Sequence, residues 1–127
     1  MDSIKLAVRG NKIALLSHID LIAGTIGQKC KVFFDDSWNG LTKTIIYKVN
    51  GEVIENAHIE GAETVIPNRV LVNAGLPLEI AIDGQSEDKS ILKPTTWCFI
   101  GEIKPSAHDY NIDYEDVDII YSGGGVE

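Results

Sequence analysis

Four oxygen-bearing side chains near the end of the sequence are its only plausible metal ligands. These residues are Asp109, Asn111, Asp113 and Glu115. Their alternate spacing matches the first ligands of a calcium-binding loop. Such a loop also needs glycine at its sixth position and glutamate at its twelfth, where this sequence has Tyr114 and Ile120. The segment therefore offers a weak metal candidate, and its composition favours an acidic arm in contact with solvent.

The rest of the sequence offers little material for catalysis. Its three histidines, His18, His58 and His108, are far apart, and none has a second histidine or a cysteine at metal-ligand spacing. The sequence has no nucleophile-elbow motif, no phosphate-binding glycine loop and no dinucleotide fingerprint. We therefore predict that the protein is not an enzyme and uses neither a metal nor a cofactor.

The two tryptophans are candidates for recognition or for core packing. Trp38 lies in the polar loop at residues 35–40, where an exposed ring can anchor a protein interface or stack on a sugar ring. The alternative is that it folds back to cap the core. If it faces a partner, Leu41 and Lys43 of the same segment are expected to face it too. Trp97 lies in an apolar run and is predicted to be part of the core.

Composition and charge limit the class of protein. The chain has 127 residues, 44% of them hydrophobic, and a net charge of −8. This length suffices for one domain with a core of its own, and the acidic balance disfavours nucleic acid as a partner. No apolar run is long enough to span a membrane, and the first residues lack the pattern of a signal peptide, so synthesis in a cytoplasm is expected. Cys30 and Cys98 lie in apolar stretches and are predicted to be buried free thiols.

Alternating apolar and polar residues predict β-strands along most of the chain. The clearest are at residues 4–8, 28–35, 42–49, 78–82 and 96–103. Asn50-Gly51 predicts a hairpin, because both residues accept a positive φ angle. Asp83-Gly84 predicts the start of a polar loop, and residues 13–22 are compatible with a strand pair or a short helix. The strand at 96–103 has two apolar faces, which predicts burial on both sides.

These elements predict an all-β fold. Seven or eight short strands separated by frequent turns are typical of an antiparallel β-sandwich or a small barrel. The domain is predicted to cover residues 1–105. Residues 106–127 are acidic, end in a glycine tract and contain no Lys or Arg, so we interpret them as an extended arm or linker. Tyr110, Tyr114 and Tyr121 would be its partner-binding residues.

Several segments in this order resemble a known group of proteins. They are Leu21-Ile22-Ala23-Gly24-Thr25, Lys31-Val32-Phe33-Phe34, Ser37-Trp38-Asn39-Gly40-Leu41-Thr42-Lys43-Thr44, Ile66-Pro67 and Pro94-Thr95. About residues 3–106 are similar to small virion proteins, and to amino-terminal modules of tail and baseplate proteins, from phages and prophages of Gram-positive bacteria. The resemblance implies a β-sandwich whose role is to dock into a virus particle. The Trp97-Cys98-Phe99 sequence and the acidic arm depart from the usual pattern.

We therefore expect a virion structural protein that serves in assembly. It would dock in the tail, the baseplate or the head surface, bind other virion proteins and form a homo-oligomer. The alternative hypothesis is a carbohydrate-binding β-sandwich that recognises glycans of the host cell wall, with Trp38 and the tyrosines stacking on sugar rings.

Overall fold

The computed structural model describes residues 2–106, which form a predominantly β structure and confirm the predicted fold class. The ten strands are β1 (Ile4–Arg9), β2 (Lys12–Leu15), β3 (Leu21–Ile22), β4 (Lys29–Phe34), β5 (Thr42–Val49), β6 (Glu52–His58), β7 (Glu63–Val65), β8 (Pro77–Gln85), β9 (Leu92–Pro94) and β10 (Cys98–Lys104). A 3₁₀ helix covers Asp36–Trp38, and a single helical turn, α1, covers Asn68–Leu71.

The strands form two sheets. The four-stranded sheet has the order β2-β1-β4-β7, and the six-stranded sheet has the order β3-β10-β8-β5-β6, with β9 paired to β8. Two pairs, β1 with β4 and β3 with β10, are parallel, so the arrangement is not purely antiparallel and has more strands than predicted. The parallel β1–β4 pair needs a long connection, and that connection contributes β3 to the other sheet.

The core lies between the sheets and is built by the predicted alternation. Ile4, Leu6 and Val8 of β1 are fully buried, as are Ile45 and Tyr47 of β5. Each neighbour in sequence points outward, which gives the period of two that a strand with one buried face requires.

Both cysteines are free and buried, as predicted. Burial, with a smaller contribution from Cys98, raises the pKa of the Cys30 thiol to about 12. Since the thiolate is the nucleophilic form, the Cys30 side chain serves packing at neutral pH.

The sheets confirm one local prediction and resolve one segment that the sequence left open. Asn50 and Gly51 have φ angles of 52° and 81° and join β5 to β6, so the predicted hairpin is confirmed. Within residues 13–22, the first three belong to β2 and the last two to β3, and these strands belong to different sheets. A single period could not describe them, because the chain changes sheets within the segment.

Two local predictions are wrong. Strand β8 runs through Asp83-Gly84 to Gln85, because Gly84 is needed for close packing and does not form a turn. A Cβ atom at Gly84 would lie 2.7 Å from Cζ3 of Trp38. Strand β10 has one buried face only: Cys98 and Ile100 point inward, whereas Phe99 is 61% exposed.

No helix within residues 2–106 is long and apolar enough to cross a membrane. The predicted arm residues Tyr110, Tyr114 and Tyr121, and the calcium candidates Asp109, Asn111, Asp113 and Glu115, lie outside the described residues.

Candidate functional site

Trp38 is buried and does not face a partner, which corrects the prediction that it does. Its side chain has no exposed surface. The indole Nε1 donates a hydrogen bond to the carbonyl oxygen of Gly10 at 2.9 Å, and the ring centroid lies 5.3 Å from that of Phe34. A buried indole with a satisfied N–H is a stable core element. The alternative interpretation, that Trp38 caps the core, is the one confirmed.

Asp35 organises the segment that turns Trp38 inward. Its Oδ1 accepts a hydrogen bond from the backbone N–H of Ser37 at 3.0 Å, and its Oδ2 accepts one from the N–H of Gly10 at 2.8 Å. The Ser37 hydroxyl also donates to Oδ1. These bonds, the Ser37 side chain first, hold the pKa of Asp35 below its usual value. The carboxylate thereby caps the 3₁₀ helix and ties it to the β1–β2 turn.

Leu41 and Lys43 are also engaged within the chain. Leu41 is partly buried against the core. Lys43 Nζ donates to the carbonyl oxygen of Leu41 at 3.2 Å and lies 5.1 Å from the centroid of the Phe34 ring. The predicted partner-facing cluster of Trp38, Leu41 and Lys43 therefore does not form an exposed surface.

The outer face of the four-stranded sheet is an exposed surface that the sequence analysis did not identify. It carries cations and apolar side chains, and we call it the basic face. Its cations are Lys5, Arg9, Lys12, Lys29 and Lys31, and its apolar members are Ala7, Ala14, Leu16, Phe33 and Val65. These cations are five of the 11 Lys and Arg residues in a chain whose net charge is −8.

The charges of the basic face are nearly uncompensated. Lys5 stands directly opposite Lys31 in the parallel pair, and like charges in that position repel. Within residues 2–106, the ion pair found on this face joins Lys29 Nζ to Glu63 Oε1 at 4.0 Å. This arrangement opposes sheet stability, so the fold alone does not explain it.

The centre of the basic face is a shallow apolar depression. Leu16 is 56% exposed and Phe33 is 50% exposed, and the small side chain of Ala7 lies between them. Two adjoining cavities, of about 270 and 160 Å³, share Ala7 and Arg9 in their lining. An apolar patch with a charged rim is typical of a protein interaction site.

The outer face of the six-stranded sheet carries a different surface, which we call the groove. It has a volume of about 550 Å³. Its lining residues are Thr42, Thr44, Ile46, Val53, Asn56, His58, Asp83, Gln85, Leu92 and Trp97.

The floor of the groove is polar because the strands place hydrophilic residues side by side. Thr44 of β5 stands between His58 of β6 and Asp83 of β8, and its Oγ1 lies 3.2 Å from His58 Nδ1. The side chains of Asp83 and Gln85, like that of Asn56, make no hydrogen bond to any other part of residues 2–106. Their polar atoms are therefore available to a ligand.

Trp97 forms a wall of the groove, and its predicted place in the core is wrong. It lies at the junction of β9 and β10 and is 38% exposed. Lys48 Nζ lies 4.1 Å from the centroid of its ring and 3.5 Å from Glu79 Oε1. The buried neighbours Cys98 and Ile100 set the phase of the strand. Because neighbouring residues in a strand point to opposite sides, placing Cys98 and Ile100 in the core puts Trp97 on the outer face.

Within residues 2–106, no three His, Cys, Asp or Glu side chains are grouped so that they could hold a metal ion. Comparison of the chain with protein-family models, with curated proteins and with solved structures finds no match.

Proposed function

We propose that this chain is a phage virion structural protein, a docking and assembly module held by neighbouring virion proteins and by further copies of itself. One observation carries the proposal: five cations surround exposed apolar side chains on the basic face of an acidic protein. The resemblance of residues 3–106 to small virion proteins and baseplate modules supports the proposal that the docking takes place in a virus particle. The tail, the baseplate and the head surface are the candidate positions.

The basic face has the two components that a docking surface needs. Leu16, Phe33 and Val65 are each about half exposed, and covering them would stabilise a complex by roughly 1 kcal/mol apiece at about 25 cal/mol per Å². The surrounding cations would orient a partner and speed its association more than they would raise its affinity.

The occupant that fits this face is a chain segment in which acidic and apolar residues alternate. The protein's own residues 109–121 have that composition: Asp109, Asp113 and Glu115 alternate with tyrosines and isoleucine, and no Lys or Arg occurs. We assign the basic face to this segment of a neighbouring copy. Because the face and the segment are different parts of the chain, two copies can exchange segments to close a dimer, and a succession of copies can build a ring or an open array.

Particles purified from the source strain by density gradient test the virion assignment. We expect the chain to co-sediment with infectious particles, in a fixed ratio to the major capsid protein by quantitative mass spectrometry, and to be labelled at one position by immunogold. Its presence in the cell lysate but absence from purified particles would contradict the proposal.

A further inference from the structure

The groove is a second binding site, distinct from the basic face and on the opposite sheet. We propose that it binds a neutral oligosaccharide, which stacks on Trp97 and accepts and donates hydrogen bonds at Asn56, Asp83 and Gln85. The inference rests on the lining of the groove alone and does not depend on the virion assignment.

The charges of the groove favour a neutral ligand. Its lining residues include no Lys or Arg and one carboxylate, that of Asp83. Lys48 contacts Trp97 at the edge of the groove, but its ammonium group is paired with the carboxylate of Glu79 at 3.5 Å. A phosphate or sulfate group would meet the Asp83 carboxylate with no free cation beside it, so anionic ligands are disfavoured.

At the floor of the groove, a ligand can be bound by side chains but not by the strand backbone. Strand β5 is hydrogen-bonded to β6 on one side and to β8 on the other, so the backbone there is already paired and cannot take up a peptide strand. Amide, carboxylate and hydroxyl groups can each bond a sugar hydroxyl, as donor, acceptor or both. The unpaired groups of Asn56, Asp83 and Gln85 therefore match a ligand rich in hydroxyls.

Trp97 supplies the apolar half of saccharide recognition. A pyranose ring has one face of C–H groups, which stacks on an indole ring through dispersion and contact with the π-system. The contact of Lys48 with the ring and its pairing with Glu79 hold the indole in place before a ligand arrives. Leu92 lines the groove beside it, and the volume of about 550 Å³ falls within the usual range of roughly 300–1,000 Å³ for small-ligand sites.

The test is a titration of the isotope-labelled full chain with cellotetraose, maltotetraose and chitotetraose, followed by NMR. We expect at least one probe to shift the Trp97 indole N–H and the amide signals of residues 44, 56 and 83–85. The Trp97→Ala substitution should weaken that binding by about tenfold or more, since stacking accounts for a kcal/mol or more of affinity. Asn56→Ala, on an exposed edge of the floor, should weaken it severalfold without disturbing the fold.

The matched control is Phe99→Ala, which removes an exposed aromatic ring two residues further along the chain, in β10 and outside the groove. Its affinity should equal that of the wild type. The proposal fails if no probe shifts any groove signal at millimolar concentration, if 6′-sialyllactose binds more tightly than the neutral probes, or if Phe99→Ala weakens binding as much as Trp97→Ala does.

Discussion

The two tryptophans lie on opposite faces of the six-stranded sheet. Trp38 packs on the inner face against Gly84, and its N–H group is bonded to Gly10 in the β1–β2 turn of the other sheet. Trp97 lies on the outer face, is 38% exposed, and contacts Lys48 beside an open groove. One ring joins the two sheets, and the other is available to a ligand. Residues of the same type thus stabilise the core at one position and, in our proposal, bind a ligand at the other.

The sharpest test of this contrast is alanine substitution at both positions. Trp38→Ala should lower the free energy of unfolding by about 3–5 kcal/mol, because it leaves a large cavity between the sheets. Trp97→Ala should lower it by less than about 1 kcal/mol, because the side chain is partly solvated and no cavity forms. Urea unfolding followed by circular dichroism measures both. Equal losses of the free energy of unfolding for the two variants would contradict the difference between the two tryptophans.

Gly84 makes the close approach of Trp38 possible. A Cβ atom there would lie 2.7 Å from Cζ3 of Trp38 and 2.9 Å from Cδ1 of Leu41, so Gly84→Ala should destabilise the fold by about 1–3 kcal/mol through overpacking. The cost should fall when Trp38→Leu is added, because the clashing ring is removed. A double-mutant cycle in urea checks this. If the changes in the free energy of unfolding for Gly84→Ala and Trp38→Leu simply add, the close contact between these two residues is contradicted.

Tyr47 extends the comparison to a buried polar group. The indole N–H of Trp38 is satisfied, whereas the hydroxyl of Tyr47 is buried with no hydrogen bond partner within residues 2–106. Burial also raises the pKa of Tyr47. Tyr47→Phe should therefore leave the free energy of unfolding unchanged or raise it by up to about 1 kcal/mol. A loss of more than about 1 kcal/mol would show that the hydroxyl has a partner.

The smallest effect concerns acid stability of the segment that holds Trp38. Hydrogen bonds from Ser37 and Gly10 lower the pKa of Asp35 from its ordinary 3.8. The ionised carboxylate therefore stabilises the fold above that value, and the contribution is lost as the pH falls through the lowered pKa. Asp35→Asn should flatten the acid side of the stability profile. Asp36 accepts neither the Ser37 nor the Gly10 hydrogen bond, so Asp36→Asn should leave the acid side of the profile unchanged. Identical profiles for the two variants would refute the role of Asp35.

The positions of the longer strands follow from local alternation and are predictable from the sequence, whereas the partner of each side chain is not. The pattern Ile4, Leu6, Val8 defines β1 because each residue's side depends only on its neighbours. Gly84 reads locally as a turn residue. Glycine is required there because any larger residue would clash with Trp38, which lies 46 positions earlier in the chain.

The candidate surfaces were missed for the same physical reason. The lysines of β1 and β4 are unremarkable one strand at a time, and they form the basic face only because these strands pair in parallel with Lys5 opposite Lys31. The groove likewise takes its floor from the β5–β6 hairpin and from β8, which lies well beyond that hairpin in the sequence. Cross-strand neighbours cannot be assigned until the sheet order is known.

Sedimentation velocity of the full chain tests most directly the claim that the basic face docks a neighbouring copy. The wild type should associate in a concentration-dependent way that weakens as salt is raised. Lys5→Glu with Lys31→Glu should abolish association, and adding Asp113→Lys with Glu115→Lys should restore it. Arg69→Glu with Lys89→Glu, an equal charge change elsewhere, should have little effect. A wild type that stays monomeric at millimolar concentration, or a control pair that dissociates it equally, would contradict the account.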